Sequence, residues 1–80
     1  MAIVLFSTAL AHYTGGVARV EIDAARVVDL VEALGKRFPE LQAHIDEMAV
    51  AIDDEIHNDA KFMRLKPDSE VQFVPRIAGG

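Results

Sequence analysis

The fold is decided by residues 17–38, which read VARVEIDAARVVDLVEALGKRF. Residues 17–22 alternate apolar and polar side chains, which is the period of a half-buried β-strand. After them the apolar residues recur at spacings of three and four, which predicts an amphipathic helix over about residues 24–37. Asp23 stands at the expected helix N-cap, and Pro39 disfavours helical geometry at the residue before it. This stretch therefore predicts a strand followed directly by a helix.

Another strand is predicted upstream of this stretch. Residues 3–7 are mostly branched or aromatic apolar residues. Thr14-Gly15-Gly16 is a strong turn signal, because glycine accepts positive φ without a steric penalty. Two strands joined around a Gly-Gly loop predict an N-terminal hairpin.

More strands are predicted downstream of the helix. Residues 48–52 predict a strand, and Asp53-Asp54 predicts a turn into residues 55–57. Residues 70–75 predict the last strand, which follows a proline-containing turn.

The segments between these strands are predicted to be short connections. Leu41 and Ile45 fit a short helical turn or a loop, and residues 62–65 fit a short turn or an edge strand. We expect every phenylalanine to belong to the core, namely Phe6, Phe38, Phe62 and Phe73.

The predicted element order is β-β-α-β-β. One helix packed across one face of a four- or five-stranded mixed sheet satisfies this order. The predicted fold class is therefore α+β, with the β-grasp (ubiquitin-like) architecture. A chain of 80 residues predicts a single domain over residues 1–80, with residues 76–80 as a flexible tail.

The composition argues against several classes of protein. Hydrophobic residues make up 51% and charged residues 26% of the chain, as in folded globular proteins. No apolar run approaches the roughly 18 residues of a membrane span. A net charge of −5 is unlike the basic surface of a nucleic-acid binder. The lack of cysteine excludes disulfides and a thiol nucleophile, and together with the lack of an export signal it predicts a cytoplasmic location.

No pattern in the sequence predicts an enzyme. His12, His44 and His57 lack metal-ligand spacing, and Asp53-Asp54-Glu55 lacks the spacing of a calcium loop. The hydroxyl-bearing residues have no recognisable partner base. We expect no metal ion and no bound cofactor.

The C-terminal segment is the most informative pattern for function. Pro75 has no backbone N–H and should end the last strand, and Arg76-Ile77-Ala78-Gly79-Gly80 follows it. Two terminal glycines make a thin, pliable end that fits a narrow channel in another protein.

With this segment, the chain resembles the sulfur-carrier family that includes the small subunit of molybdopterin synthase and the thiamine-pathway carrier. The resemblance runs from Val4-Leu5-Phe6 through Val50-Ala51-Ile52-Asp53-Asp54, and it is strongest over residues 67–75 and 77–80. It implies a β-grasp fold and a carrier that acts with partner enzymes.

The resemblance implies a specific chemistry at Gly80. An E1-like adenylating enzyme would use ATP to activate the Gly80 carboxylate. A sulfur donor such as a cysteine desulfurase or sulfurtransferase would then convert it to a thiocarboxylate. The acceptor would be the large subunit of molybdopterin synthase or another sulfur-accepting enzyme.

The resemblance also implies roles for the residues before Gly80. Ile77, Ala78 and Gly79 would form the threading tail. Partner contacts would involve Val74, Pro75 and Arg76, together with the sheet face that the helix leaves bare. Ser7 stands where relatives carry an exposed apolar residue on the first strand.

Several alternatives remain open at the level of sequence. Molybdopterin synthesis is the first hypothesis for the pathway that receives the sulfur, and thiamine, cysteine or another thio-metabolite is the alternative. The loop at residues 12–16 is similar to that of carriers that serve cysteine biosynthesis. A ubiquitin-like protein modifier and an interaction module with an inert tail are the alternatives outside sulfur transfer.

Overall fold

The structure is a computed structural model that describes residues 1–76. The proposed tail residues 77–80 lie outside the described residues. Along the chain the elements are β1 (Ala2–Leu5), α1 (Thr8–Ala11), β2 (Arg19–Ile22), α2 (Val27–Arg37), α3 (Pro39–Ile45), β3 (Ala49–Ile52), β4 (Glu55–His57) and β5 (Glu70–Val74).

The strands form one five-stranded sheet in the order β2-β1-β5-β3-β4. β1 and β5 run parallel in the middle of the sheet, and the other three pairings are antiparallel. The predicted α+β fold with a mixed sheet is confirmed, and so is the antiparallel hairpin of the first two strands.

The two faces of the sheet differ in burial. Residues of the inner face share one apolar core with the buried residues of all three helices, including Leu10, Leu30, Leu34, Leu41 and Ile45. The alternating residues of β1, β2 and β5 on the outer face are partly or fully exposed. The sheet therefore has one packed face and one that these helices leave open.

The prediction of four core phenylalanines is wrong at one position. Phe6 and Phe73 are buried, and Phe38 packs edge-on against Phe6 with ring centroids 6.0 Å apart. Phe62 is 70% exposed because it lies in the loop between β4 and β5, with Lys61 above its ring. Residue type alone did not reveal this difference.

Helix α2 begins at Val27, three residues later than predicted, and Asp23 is not its N-cap. The N-cap is Arg26, whose side chain makes no capping hydrogen bond. Backbone carbonyls of the β4–β5 loop take that role instead. The N–H of Val27 donates to the carbonyl of Met63 at 3.0 Å, and the N–H of Val28 donates to that of Lys61 at 2.8 Å.

Two further helices replace segments predicted as connections. Ser7 caps α1, since its side chain accepts a hydrogen bond from the N–H of Leu10. Pro39 ends α2 as predicted, and it also occupies the first turn of α3, where a missing N–H costs nothing. The predicted helical turn around Leu41 and Ile45 is thus a complete helix.

The predicted turns adopt the backbone geometry expected of them. Gly15 and Gly16 have φ of 69° and 89°, and Asp53 and Asp54 have φ of 47° and 72°. Both pairs lie in the left-handed region, which glycine and aspartate tolerate best. The two loops connect β1 to β2 and β3 to β4.

Candidate functional site

The candidate site is the end of β5, from which the C-terminal segment continues. β5 lies between β1 and β3, and two hydrogen bonds fix its beginning. The N–H of Ile3 donates to the carbonyl of Ser69 at 2.8 Å, and the N–H of Glu70 donates to Asp53 Oδ1 at 2.9 Å. The start of the strand that leads to the tail is therefore held from both sides.

Side chains alternate between buried and more exposed positions along β5. Val71 and Phe73 are buried, Gln72 is exposed and Val74 is partly exposed. Strand pairing ends at Val74, and Pro75 follows without secondary structure. The structure thus places Val74 on the outer face, where a partner can reach it.

Arg76 makes contacts that the sequence did not reveal. One guanidinium nitrogen, Nη2, donates to the backbone carbonyl of Asn58 at 3.2 Å and lies 4.0 Å from the carboxylate of Asp59. The Arg76 side chain is 53% exposed. Because the partners lie 18 and 17 positions earlier in the chain, no local sequence signal could have identified this pair.

The other proposed site residues are outside the structural description. Gly80, Gly79, Ala78 and Ile77 follow Arg76 in the chain, and their proposed roles remain predictions. The three site residues within the described range, Val74, Pro75 and Arg76, are consecutive at the end of one central strand.

The outer sheet face next to this end carries a continuous row of side chains. Strand register aligns Arg19, Leu5, Gln72, Ala51 and Ile56 across all five strands. Ile56 is 53% exposed, and Leu5 and Ala51 are partly exposed. We call Leu5, Ala51, Ile56 and Val74 the outer-face patch, which consists of the apolar residues around the exposed Gln72 on this face.

Ser7 does not belong to this row. It lies beyond the end of β1 and caps α1, so its hydroxyl is used within the fold. The apolar residue that β1 presents on the outer face at this end is Leu5, which pairs with Gln72. Although residue 7 is a serine in this chain, β1 therefore still contributes an apolar residue, Leu5, to the patch.

Two grooves flank the end of β5. The larger, the α2–α3 groove, has a volume of about 550 Å³ and includes Val31, Ile45, Asn58, Asp59 and Arg76 among its lining residues. The smaller, the α1 groove, has a volume of about 520 Å³ and includes Ala9, Leu10, Val74 and Pro75. Within the candidate site, Val74 and Pro75 thus line the α1 groove, whereas Arg76 lines the α2–α3 groove.

Two of the three histidines contact other side chains, each at a different place in the fold. His44 stacks on Tyr13 with ring centroids 3.9 Å apart, and His57 Nε2 lies 3.8 Å from a Glu55 carboxylate oxygen. Among residues 1–76, no three metal-binding side chains are grouped so that they could hold an ion. In the same range, no helix is long and apolar enough to cross a membrane.

The topology defines the class of protein. A five-stranded mixed sheet with β1 and β5 parallel and the helices packed on one face is a ubiquitin-like β-grasp domain. The sequence model of the ThiS family matches residues 4–80. The chain belongs to the ThiS family, whose small proteins act as sulfur carriers or ubiquitin-like modifiers.

Solved structures share this fold over nearly the whole chain. A chain in the crystal structure of the BexX/CysO complex from Amycolatopsis orientalis matches with a TM-score of 0.84 and 22% identity, over 100% of both chains. Small archaeal modifier protein 1 from Methanosarcina acetivorans matches with a TM-score of 0.80 and 18% identity, over 99% of this chain and 95% of that one.

A third structure is a proposed molybdopterin converting factor, subunit 1, from Pyrococcus furiosus. It matches with a TM-score of 0.70 and 20% identity, over 95% of this chain and 97% of that one. Identities of this size establish the shared fold alone. No curated protein sequence matches the chain significantly.

Proposed function

We propose that this chain is a sulfur carrier whose Gly80 carboxylate is converted to a thiocarboxylate. The observation that carries the proposal is the match of the ThiS family to residues 4–80, which includes the terminal Gly79-Gly80. In support, β5 holds the start of this segment firmly within the sheet, and pairing ends just before Pro75.

The chemistry requires activation because a carboxylate is a poor electrophile. An E1-like partner would join AMP from ATP to the Gly80 carboxylate and release pyrophosphate. With hydrosulfide as the sulfur source, a C–S bond then forms while the C–O bond to AMP breaks, and no redox change occurs. If a sulfurtransferase supplies a persulfide instead, a thiol must also reduce the acyl disulfide that forms.

The carrier's own contribution is reach and docking. A terminal segment without side chains at its last two positions can enter a partner's narrow channel. The outer-face patch, which includes Val74, offers that partner apolar side chains to bind. The reacting groups would then come from the partner enzymes, and binding to the patch would place Gly80 near them.

For the acceptor, we propose molybdopterin synthesis, with this chain as the small subunit beside a larger synthase subunit. The fold shared with the Pyrococcus furiosus converting-factor subunit supports this choice. The fold shared with the BexX/CysO complex favours transfer to another thio-metabolite as the second candidate. Both acceptors require the same thiocarboxylate, so the carrier chemistry is tested first.

The decisive experiment is the intact mass of the protein isolated from its native host, before and after treatment with a thiol-alkylating reagent. The chain contains no cysteine, so stoichiometric alkylation reports sulfur elsewhere. We expect a species heavier by the difference between sulfur and oxygen, with the alkyl group on Gly80 after fragmentation. An unmodified mass after incubation with ATP, sulfide and the host's activating enzyme would reject the proposal.

The acceptor is tested by adding the thiocarboxylated protein to candidate partner enzymes. Sulfur transfer to a pterin precursor in the presence of the large synthase subunit would support the molybdopterin assignment. Transfer only with a thiazole- or cysteine-forming enzyme would replace it. Recovery of Gly80 joined to lysine side chains of other proteins would instead support a protein modifier.

A further inference from the structure

The β4–β5 loop and the start of α2 bring basic residues together in an acidic chain. The N–H of Leu65 donates to the carbonyl of Ala25 at 2.8 Å, and Arg64 forms an isolated antiparallel bridge with Arg26. Together with the loop carbonyls that cap α2, these contacts collect four of the eight lysine and arginine residues. All four are exposed, and we call them the basic cluster: Arg26, Lys61, Arg64 and Lys66.

The basic cluster is electrostatically unfavourable in the isolated chain. Arg26 and Arg64 are directly opposite each other in their bridge, an arrangement in which like charges are destabilising. Arg26 is also the N-cap of α2, where the helix dipole disfavours a cation. No ion pair formed within residues 1–76 includes a member of the basic cluster, and the nearby Asp59 pairs with Arg76 instead. This part of the chain therefore supplies no carboxylate close enough to offset the charge.

An exposed aromatic side chain lies within the basic cluster. Phe62 is 70% exposed, and the Lys61 Nζ lies 5.8 Å from the centroid of its ring. The carbonyls of the residues on either side of Phe62 bond to the start of α2, which fixes the backbone at this position. Aromatic residues and arginine are both enriched where proteins bind each other.

We propose that the basic cluster and Phe62 form a docking surface for an acidic segment of a partner protein. Carboxylates of the segment would pair with Arg26 and Arg64 and offset their repulsion, while an apolar side chain would pack on Phe62. A short segment needs to contact only this part of the chain. A long nucleic acid or an anionic membrane would also meet the remaining surface, which is acidic enough to leave the whole chain with a net charge of −5.

This surface is distinct from the outer-face patch. It is built at the start of α2, and α2 packs on the inner face of the sheet, whereas the outer-face patch lies on the opposite face. The inference therefore goes beyond sulfur transfer, because it adds a partner that binds on the helix side of the fold.

The test titrates the whole isotope-labelled chain with a synthetic peptide of glutamates around one leucine, and NMR follows the amide signals. The same peptide with glutamines in place of the glutamates is the control ligand. Arg26→Gln combined with Arg64→Gln removes two charges from the basic cluster and keeps most of each stem. Arg19→Gln combined with Lys36→Gln is the matched variant, since it removes the same charge from two residues that form exposed ion pairs elsewhere.

We expect the glutamate peptide to shift the amide signals of residues 25–28 and 61–66, and the glutamine peptide to leave them unchanged. Loss of both arginines of the bridge should weaken binding by about fourfold or more, because each exposed ion pair contributes about twofold. The matched variant should weaken it by less than about twofold. Phe62→Ala should weaken it by about threefold or more, because the ring loses its apolar contact with the leucine.

The repulsion within the basic cluster is tested without a ligand. Arg64→Gln should raise the folding equilibrium constant of the isolated chain by about twofold, because it removes a like charge opposite Arg26. Arg19→Gln should not raise it, since Arg19 pairs with Glu21. Urea denaturation measures both constants.

Equal weakening by the two double variants, or binding that Phe62→Ala leaves unchanged, would show general charge attraction and overturn the inference. Tighter binding of an oligothymidine or of phosphatidylserine vesicles at the same residues would replace the protein partner with a polyanion. A lower folding constant for Arg64→Gln would contradict the repulsion. The measurements use no ATP, sulfur source or activating enzyme, so these failures would leave the sulfur-carrier proposal standing.

Discussion

Val4 of β1 and Val71 of β5 are paired in parallel register, and neither residue exposes any surface. They lie at the centre of the inner face, where the strand that leads to the C terminus joins the N-terminal hairpin. Apolar packing at this pair therefore supports the candidate site as well as the core.

Val71→Ala should lower the free energy of unfolding by about 2 kcal/mol, because it removes two buried methyl groups and leaves a cavity. Gln72→Ala is the control on the same strand, since Gln72 points to the outer face and is exposed. That change should alter stability by less than about 0.5 kcal/mol. Chemical denaturation of both variants measures the difference, and equal effects would contradict the assignment of the two faces.

Much of the sheet was predictable because its information is local. Alternation in residues 19–22 indicated which side chains of β2 face the core, and the spacing of apolar residues in α2 indicated its buried stripe. The element order then allowed few architectures. The types of the strands and of α2 followed from short windows of sequence, whereas α1, the full length of α3 and some element boundaries did not.

The errors arise where distant residues meet. The start of α2 depends on the carbonyls of Lys61 and Met63, more than 30 positions further along the chain. The contact of Arg76 with Asn58 likewise depends on the order of strands in the sheet. Val74, Pro75 and Arg76 were placed at the strand end by their sequence alone, but the intramolecular partner of Arg76 required the fold.

Because α1 and α2 are capped differently, Ser7 and Asp23 should contribute differently to stability. Ser7→Ala should lower the free energy of unfolding by about 1 kcal/mol, because the Leu10 N–H loses its capping acceptor. Asp23→Ala should lower it by less than about 0.5 kcal/mol, since backbone carbonyls cap α2. Urea denaturation distinguishes the two, and a larger loss for Asp23→Ala would restore Asp23 as a cap.

The turn between β3 and β4 contains two aspartates with positive φ. Within residues 1–76, the side chain of Asp53 accepts a hydrogen bond from the Glu70 N–H, whereas that of Asp54 accepts none. Asp54→Gly should raise the free energy of unfolding by up to about 1 kcal/mol, because glycine adopts this conformation without steric cost. Asp53→Gly removes the acceptor as well, so it should be less stable than Asp54→Gly by about 0.5–1.5 kcal/mol. Thermal unfolding of both variants measures this difference, and its absence would show that the bond contributes nothing.

Removal of Gly80 should strongly slow activation while leaving the fold intact. The shortened chain places its carboxylate about 3.5 Å from the original position, and a displacement of this size should slow adenylation by about 100-fold or more. Pyrophosphate exchange with the host's activating enzyme measures the rate. Gly80→Ala keeps the length of the chain and should be affected less. An undiminished rate for the shortened chain would refute the assignment of Gly80 as the reacting residue.

The outer-face patch should contribute to partner binding through Val74, which lies beside the start of the C-terminal segment. Val74→Asp places a charge on this partly exposed apolar position, and it should weaken binding to the activating enzyme by about tenfold or more, because a charge would be buried in the interface. Phe62→Asp is the control, since Phe62 is 70% exposed but belongs to the β4–β5 loop, whose Lys61 and Met63 carbonyls contact the start of α2. Titration calorimetry with the activating enzyme should show normal affinity for Phe62→Asp. A comparable loss in both variants would mean that exposed apolar surface in general, rather than the face next to the C-terminal segment, governs docking.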